Sequence, residues 1–134
     1  MISVLLAILS ILPLQDQDEK KTSRQLFIEA QRLETVRKEY DKAVEKYNAA
    51  ITRAETEGNR RRVAECYRNI ARCCESMESP AINGAMDAYR NIVDSYDEFE
   101  DLTETARNKL VWKGIDTWLA HYGTSLLAWR DKAN

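Results

Sequence analysis

The stretch Tyr40-Asp41-Lys42-Ala43-Val44-Glu45-Lys46-Tyr47-Asn48-Ala49-Ala50-Ile51 decides the fold. Its Tyr40, Ala43, Val44, Tyr47, Ala50 and Ile51 recur at three- and four-residue steps, which lays apolar side chains along one face of an α-helix. Alanine at positions 43 and 50 lets a neighbouring helix approach closely, while Tyr40 and Tyr47 are large enough to fill the space beside them. Upstream, Leu26, Phe27, Ala30, Leu33 and Val36 keep the same period, and Ala54 extends it downstream until Gly58 and Asn59 end it. Arg37-Lys38-Glu39 holds no turn-forming residue, so the spacing also admits one continuous helix over residues 20–56, as in a bundle or coiled coil.

Three further helical patterns follow. The first runs from Arg61 to Met77, and Ser79-Pro80 interrupts it, with Pro80 suited to the first turn of the next helix. The second carries Ile82, Ala85, Met86, Ala88, Tyr89, Ile92, Val93 and Tyr96, and the acidic segment Asp97 to Asp101 closes it. The third is predicted from Leu102 to about Tyr122, after which Gly123 suits a cap and a short last helix holds Leu126, Leu127 and Trp129. With only 4 glycines and 2 prolines in 134 residues, the chain has few of the turns that an all-β fold needs. The expected class is all-α.

The alternation of aromatic and small residues from Tyr40 to Ile51 resembles the second helix of a tetratricopeptide (TPR) repeat. A second match starts at Ala64, with Tyr67, Ile70, Ala71 and Cys74 at first-helix spacings, and Ala85, Met86, Tyr89, Ile92 and Val93 on its partner helix. Ala106, Leu110, Val111 and Gly114 could open a third unit. The resemblance covers about residues 22–114, and the second unit has a slightly longer turn than the usual repeat of about 34 residues. It implies an antiparallel helix-hairpin repeat stack of five to six helices over residues 20–134, following an apolar N-terminal segment. The stretch from Tyr89 to Tyr96 is similar to the repeats of bacterial envelope TPR proteins, which help assemble envelope complexes. A non-catalytic protein-protein interaction adaptor or scaffold is therefore the expected function. The alternative is a structural helical-bundle or coiled-coil subunit of a larger envelope assembly.

Met1 to Leu14 carries no charged side chain, and Asp16, Asp18, Glu19, Lys20 and Lys21 follow it. The run is shorter than the roughly 20 residues that a membrane-spanning helix needs. It matches the apolar region of a secretory signal, although no Lys or Arg precedes it and Leu12-Pro13-Leu14-Gln15 lacks a small-x-small cleavage pattern. Residues 1–15 are expected to be a signal peptide or an apolar anchor, and the chain to be exported to the periplasm or cell envelope. A first helix packed on the domain is the alternative. Membrane contact is expected only through residues 1–14, where these stay attached. The first cysteine is Cys66, so a lipoprotein acceptor is not present near the run.

Net charge is −2, which supplies no basic field for nucleic acid. Cys66, Cys73 and Cys74 share an apolar stripe with Val63, Tyr67, Ile70 and Met77, so they are read as small hydrophobes rather than disulfide or metal ligands. The chain shows no phosphate loop, zinc pattern or nucleophile elbow, and its one histidine is His121. No catalytic residue, metal or cofactor is expected. The carboxylates from Asp94 to Glu104 lack the alternating ligands and central glycine of a calcium loop.

Arg60, Arg61, Arg62, Arg68 and Arg72 crowd one helix. In TPR folds the opening helices line the concave groove, and the resemblance places Arg68, Asn69 and Arg72 there, with Arg32 from the first unit. Guanidinium groups so placed would take a carboxylate of an acidic or C-terminal peptide bidentately. A solvated face with pairing such as Arg61 to Glu65 is the competing reading. Arg61 and Trp129 complete the candidate partner-binding set. A homo-oligomer, in which the segment from Asp94 to Glu104 meets a second copy's Arg60 to Arg72 face, is a further expectation from charge segregation.

Overall fold

The computed structural model describes residues 17–114 and Lys132; the N-terminal apolar segment, the end of the helix expected to reach Tyr122, the Gly123 cap and the expected last helix with Trp129 lie outside the described residues. Every regular element among the described residues is helical. We label them α1 (Ser23–Arg32), continued by a π-helical turn (Leu33–Arg37), α2 (Tyr40–Thr56), α3 (Arg60–Ser76), α4 (Ile82–Ser95) and α5 over residues 100–114. The chain divides into two compact units whose boundary falls within α3, between Cys66 and Tyr67.

In the first unit, α1 starts at a capping box. Thr22 Oγ1 accepts from the Gln25 backbone N–H, and the Gln25 side chain accepts from the Thr22 N–H, so two donors left orphaned at a helix start are satisfied. The helix does not continue to residue 56. Lys38 adopts a left-handed backbone with φ 55°, and the Glu39 N–H bonds back to the Leu33 carbonyl at 2.9 Å. This lets α2 fold back antiparallel to α1. At the open end of the hairpin, the Ser23 hydroxyl donates to Glu57 at 2.5 Å. In its interior, Phe27 meets Tyr47 edge-on at 5.5 Å.

The π-helical turn explains a departure from the expected stripe. One extra residue in a helical turn rotates everything beyond it by roughly 100°. Glu34 is consequently buried, and Val36, read as part of the apolar stripe, is 78% exposed.

At the end of α2, Gly58 takes φ 67°, with bonds from its N–H to Glu55 and from the Asn59 N–H to Ala54, the two closures of a Schellman cap. Asn59 then caps α3 through its side chain, which accepts from the Arg62 N–H at 3.1 Å.

The second unit is also a helix hairpin. The end of α3 meets the start of α4, where the Ala81 N–H reaches the Cys74 carbonyl at 2.9 Å, and Tyr67 packs against Tyr96 at 6.1 Å. Pro80 lies just before α4, whose N-cap is Ala81, rather than in its first turn. A turn after Tyr96 leads into α5, held by the buried Thr103 hydroxyl donating to the Tyr96 and Phe99 carbonyls.

Candidate functional site

The two hairpins repeat a motif. Ala43, Tyr47 and Ala50 on α2 recur as Ala85, Tyr89 and Ile92 on α4 at the same mutual spacing, and all six are buried. Each tyrosine meets a glutamate from the preceding helix or its extension. Tyr47 donates to Glu34 at 2.6 Å, and the Tyr89 hydroxyl lies against Glu75. Burial pushes the Tyr89 phenol well above the ordinary tyrosine range, and the Glu75 charge adds to the shift. The interval from Tyr47 to Tyr89 exceeds the usual TPR length of about 34 residues.

The expected partner-binding residues fall into distinct settings. Arg32 is exposed in the last turn of α1. Arg61 is exposed but pairs with Glu65 at 3.4 Å, and Arg62 bonds the same carboxylate at 2.8 Å while its guanidinium covers the Phe27 ring at 4.4 Å. Glu65 thus compensates part of the positive charge at this end of α3. Arg68 is half-buried, with its Nε donating to Asn69 Oδ1 at 3.3 Å, and Arg72 is exposed one turn further on. Arg68 and Arg72 share a face because they are four residues apart. Asn69, expected beside them in the groove, is instead 1% exposed, because a single step along a helix turns a side chain by roughly 100°. Trp129 lies outside the described residues.

A feature that the sequence did not announce lies in the first unit, where a cavity of about 540 Å³ is lined by Asp18, Glu19, Leu26, Ala49, Thr52 and Arg53, among others. The turn along its edge is clasped to the hairpin. Lys46 bonds Asp18, Lys21 bonds both Asp18 (3.2 Å) and Glu29 (2.9 Å), and Arg53 donates to the Lys21 and Glu19 carbonyls. Burial works to raise the Asp18 pKa, but hydrogen bonds from Lys46 and Lys21 outweigh it and hold the group below its ordinary value. The Thr22/Gln25 capping box was the available signal, since it fixes where the helix starts and the preceding turn ends.

The three cysteines are buried free thiols, with Cys66 pushed up to about 12 by burial. Among the described residues, no group of three histidine, cysteine, aspartate or glutamate side chains is placed to hold a metal ion. No helix among them is long and apolar enough to cross a membrane. No family model, curated protein or solved structure matches the chain.

Proposed function

We propose that this chain is a non-catalytic, TPR-type adaptor that holds a segment of another protein on its opening helices. One observation carries the reading: two antiparallel hairpins bury an alanine, a tyrosine and a further apolar residue at the same spacing, and the helix that opens each places arginine at its surface, Arg32 on α1 and Arg68 with Arg72 on α3. Repeats built this way present side chains of their opening helices to partners. Arg68 and Arg72, one turn apart, suit a peptide carboxylate, because guanidinium forks bind it bidentately. The turn at Lys38 weighs against the alternative of a coiled-coil subunit. The uncharged run from Met1 to Leu14 supports export to the periplasm or cell envelope.

The direct test is fluorescence anisotropy with a labelled peptide of acidic sequence ending in a free carboxylate, against its C-terminally amidated form. The expected result is binding that Arg68→Ala and Arg72→Ala each weaken on the order of tenfold, with the amide weakened similarly. Equal binding of both peptides by the variants and the parent protein would overturn the reading. Cell fractionation of a tagged full-length chain tests export, and recovery in the cytoplasm alone would refute it.

A further inference from the structure

The face of α1 and its π-helical extension has an unbalanced surface charge. Residues 23–39 hold three acids, and each is engaged: Glu29 with Lys21 and Lys46, Glu34 with the Tyr47 hydroxyl, and Glu39 with Lys42 at 2.8 Å. The basic residues Arg24, Arg32, Arg37 and Lys38 are all exposed. Two apolar side chains stand among them in the open, Ile28 at 40% exposure one turn before Arg32, and Val36 at 78%. An exposed patch that combines positive charge with large apolar side chains fits an acidic partner carrying apolar groups of its own.

The chain contains such a partner. From Asn91 to Ala106 no Lys, Arg or His occurs, while Asp94, Asp97, Glu98, Glu100, Asp101 and Glu104 are exposed around the turn that joins α4 to α5. Tyr96 and Phe99 are half-buried within the same turn. The arginines at the start of α3 are poorer receivers for it, because Glu65 already pairs with Arg61 and Arg62.

We propose that the α1 face around Ile28, Arg32, Val36 and Arg37 docks the acidic α4–α5 turn of a second copy of this chain. Such a contact joins two different surfaces, so it propagates head to tail. A single turn on a single helix covers less than the roughly 1,200 Å² of a stable interface, so association is weak, reversible and dependent on concentration. Exposed charges carry much of it, so salt weakens it. The contact is independent of the peptide site proposed at Arg68 and Arg72.

Sedimentation velocity of the full chain over a concentration series, at low and high salt, tests this. The expected result is a sedimentation coefficient that rises with concentration at low salt and stops rising at high salt. Arg32→Glu with Arg37→Glu, and separately Asp97→Lys with Glu100→Lys, should each weaken self-association on the order of tenfold or more. Mixing the two charge-reversed variants should restore it, since each then offers the surface that the other lacks. Circular dichroism shows whether the variants remain folded, and Arg32→Gln with Arg37→Gln gives a milder form of the same test. Concentration-independent sedimentation at low salt, or association that survives both reversals, would overturn the proposal. Neither outcome bears on the peptide titration, so the two readings fail separately.

Discussion

The Tyr47 hydroxyl donates to Glu34 Oε2 at 2.6 Å, joining α2 to the π-helical turn through a pair in which the tyrosine is fully buried and the glutamate nearly so. A carboxylate taken out of water relies on such donors, and removing one leaves much of its desolvation cost uncompensated. Tyr47→Phe keeps the ring against Phe27 and deletes only the hydroxyl, so it is expected to cost about 1–3 kcal/mol in urea unfolding. Glu34→Gln retains an acceptor for the hydroxyl and should cost less. A double-mutant cycle would give a coupling of roughly 0.5–3 kcal/mol. Additive effects would mean that the bond contributes little.

The chain reverses direction at two left-handed residues, Lys38 and Gly58, and opposite substitutions there should have opposite effects. A side chain at positive φ is strained, by roughly 1–2 kcal/mol in a left-handed helical conformation. Lys38→Gly relieves that strain, less the greater freedom glycine gives the unfolded chain, so a gain of about 0.5–1 kcal/mol is expected. Gly58→Ala introduces the strain, with nothing within 4 Å of the new Cβ to add to it, and should cost about 1 kcal/mol. Thermal melts of both variants check the signs. The same hairpin predicts a short distance between spin labels at Gln25 and Glu55, against about 45 Å for thirty residues of unbroken helix.

This contrast shows what the sequence could disclose. Ala43, Tyr47 and Ala50 were legible because small and aromatic residues at fixed helical steps leave few ways to pack. Gly58 and Asn59 were legible because glycine is the common residue at a left-handed cap. The turn at Lys38 was not. A lysine carries no turn signal, and the heptad-like spacing runs through it unbroken. Val36 was misplaced and the burial of Glu34 not foreseen for a related reason, since a π-helical insertion leaves no mark in composition yet rotates all that follows it. The arginines of α3 were legible as a cluster. The pairing of Arg61 with Glu65 was legible from its four-residue step, whereas Arg62 sharing that carboxylate depends on side-chain direction, as does the burial of Asn69. The clasp at Asp18 rests on partners far along the chain, Lys46 and Arg53, which no local pattern joins.

The cysteines should be silent in the native protein. Cys66 and Cys73 are fully buried and Cys74 is 6% exposed, so reagent access requires unfolding. Burial also pushes the Cys66 thiol up to about 12, which leaves almost no reactive thiolate at neutral pH. An aromatic disulfide reagent is therefore expected to modify none of the three before the unfolding transition in urea and all three after it. Rapid modification of any of them in the folded protein would contradict this packing of α3.

The bond between Ser23 and Glu57 makes the first hairpin sensitive to acid. The Ser23 hydroxyl is the largest influence holding the Glu57 carboxyl below its ordinary value; the Ser23 backbone N–H, at 3.0 Å, and the charges of Arg53 and Arg62 act in the same direction. A folded-state pKa below the unfolded one means that the contribution is fully present above the ordinary carboxylate range. It is lost as pH falls through the lowered folded value. Ser23→Ala removes the hydroxyl and keeps the backbone donor, so the Glu57 titration should move part of the way back toward its ordinary position. Stability of the parent protein should exceed that of the variant at neutral pH, and the gap should close in acid. Carbon-detected NMR titration of Glu57, with urea midpoints measured across the same pH range, reads both effects. A gap that stays constant with pH would show that Ser23 stabilises the helix start by packing, and not through the charge on Glu57.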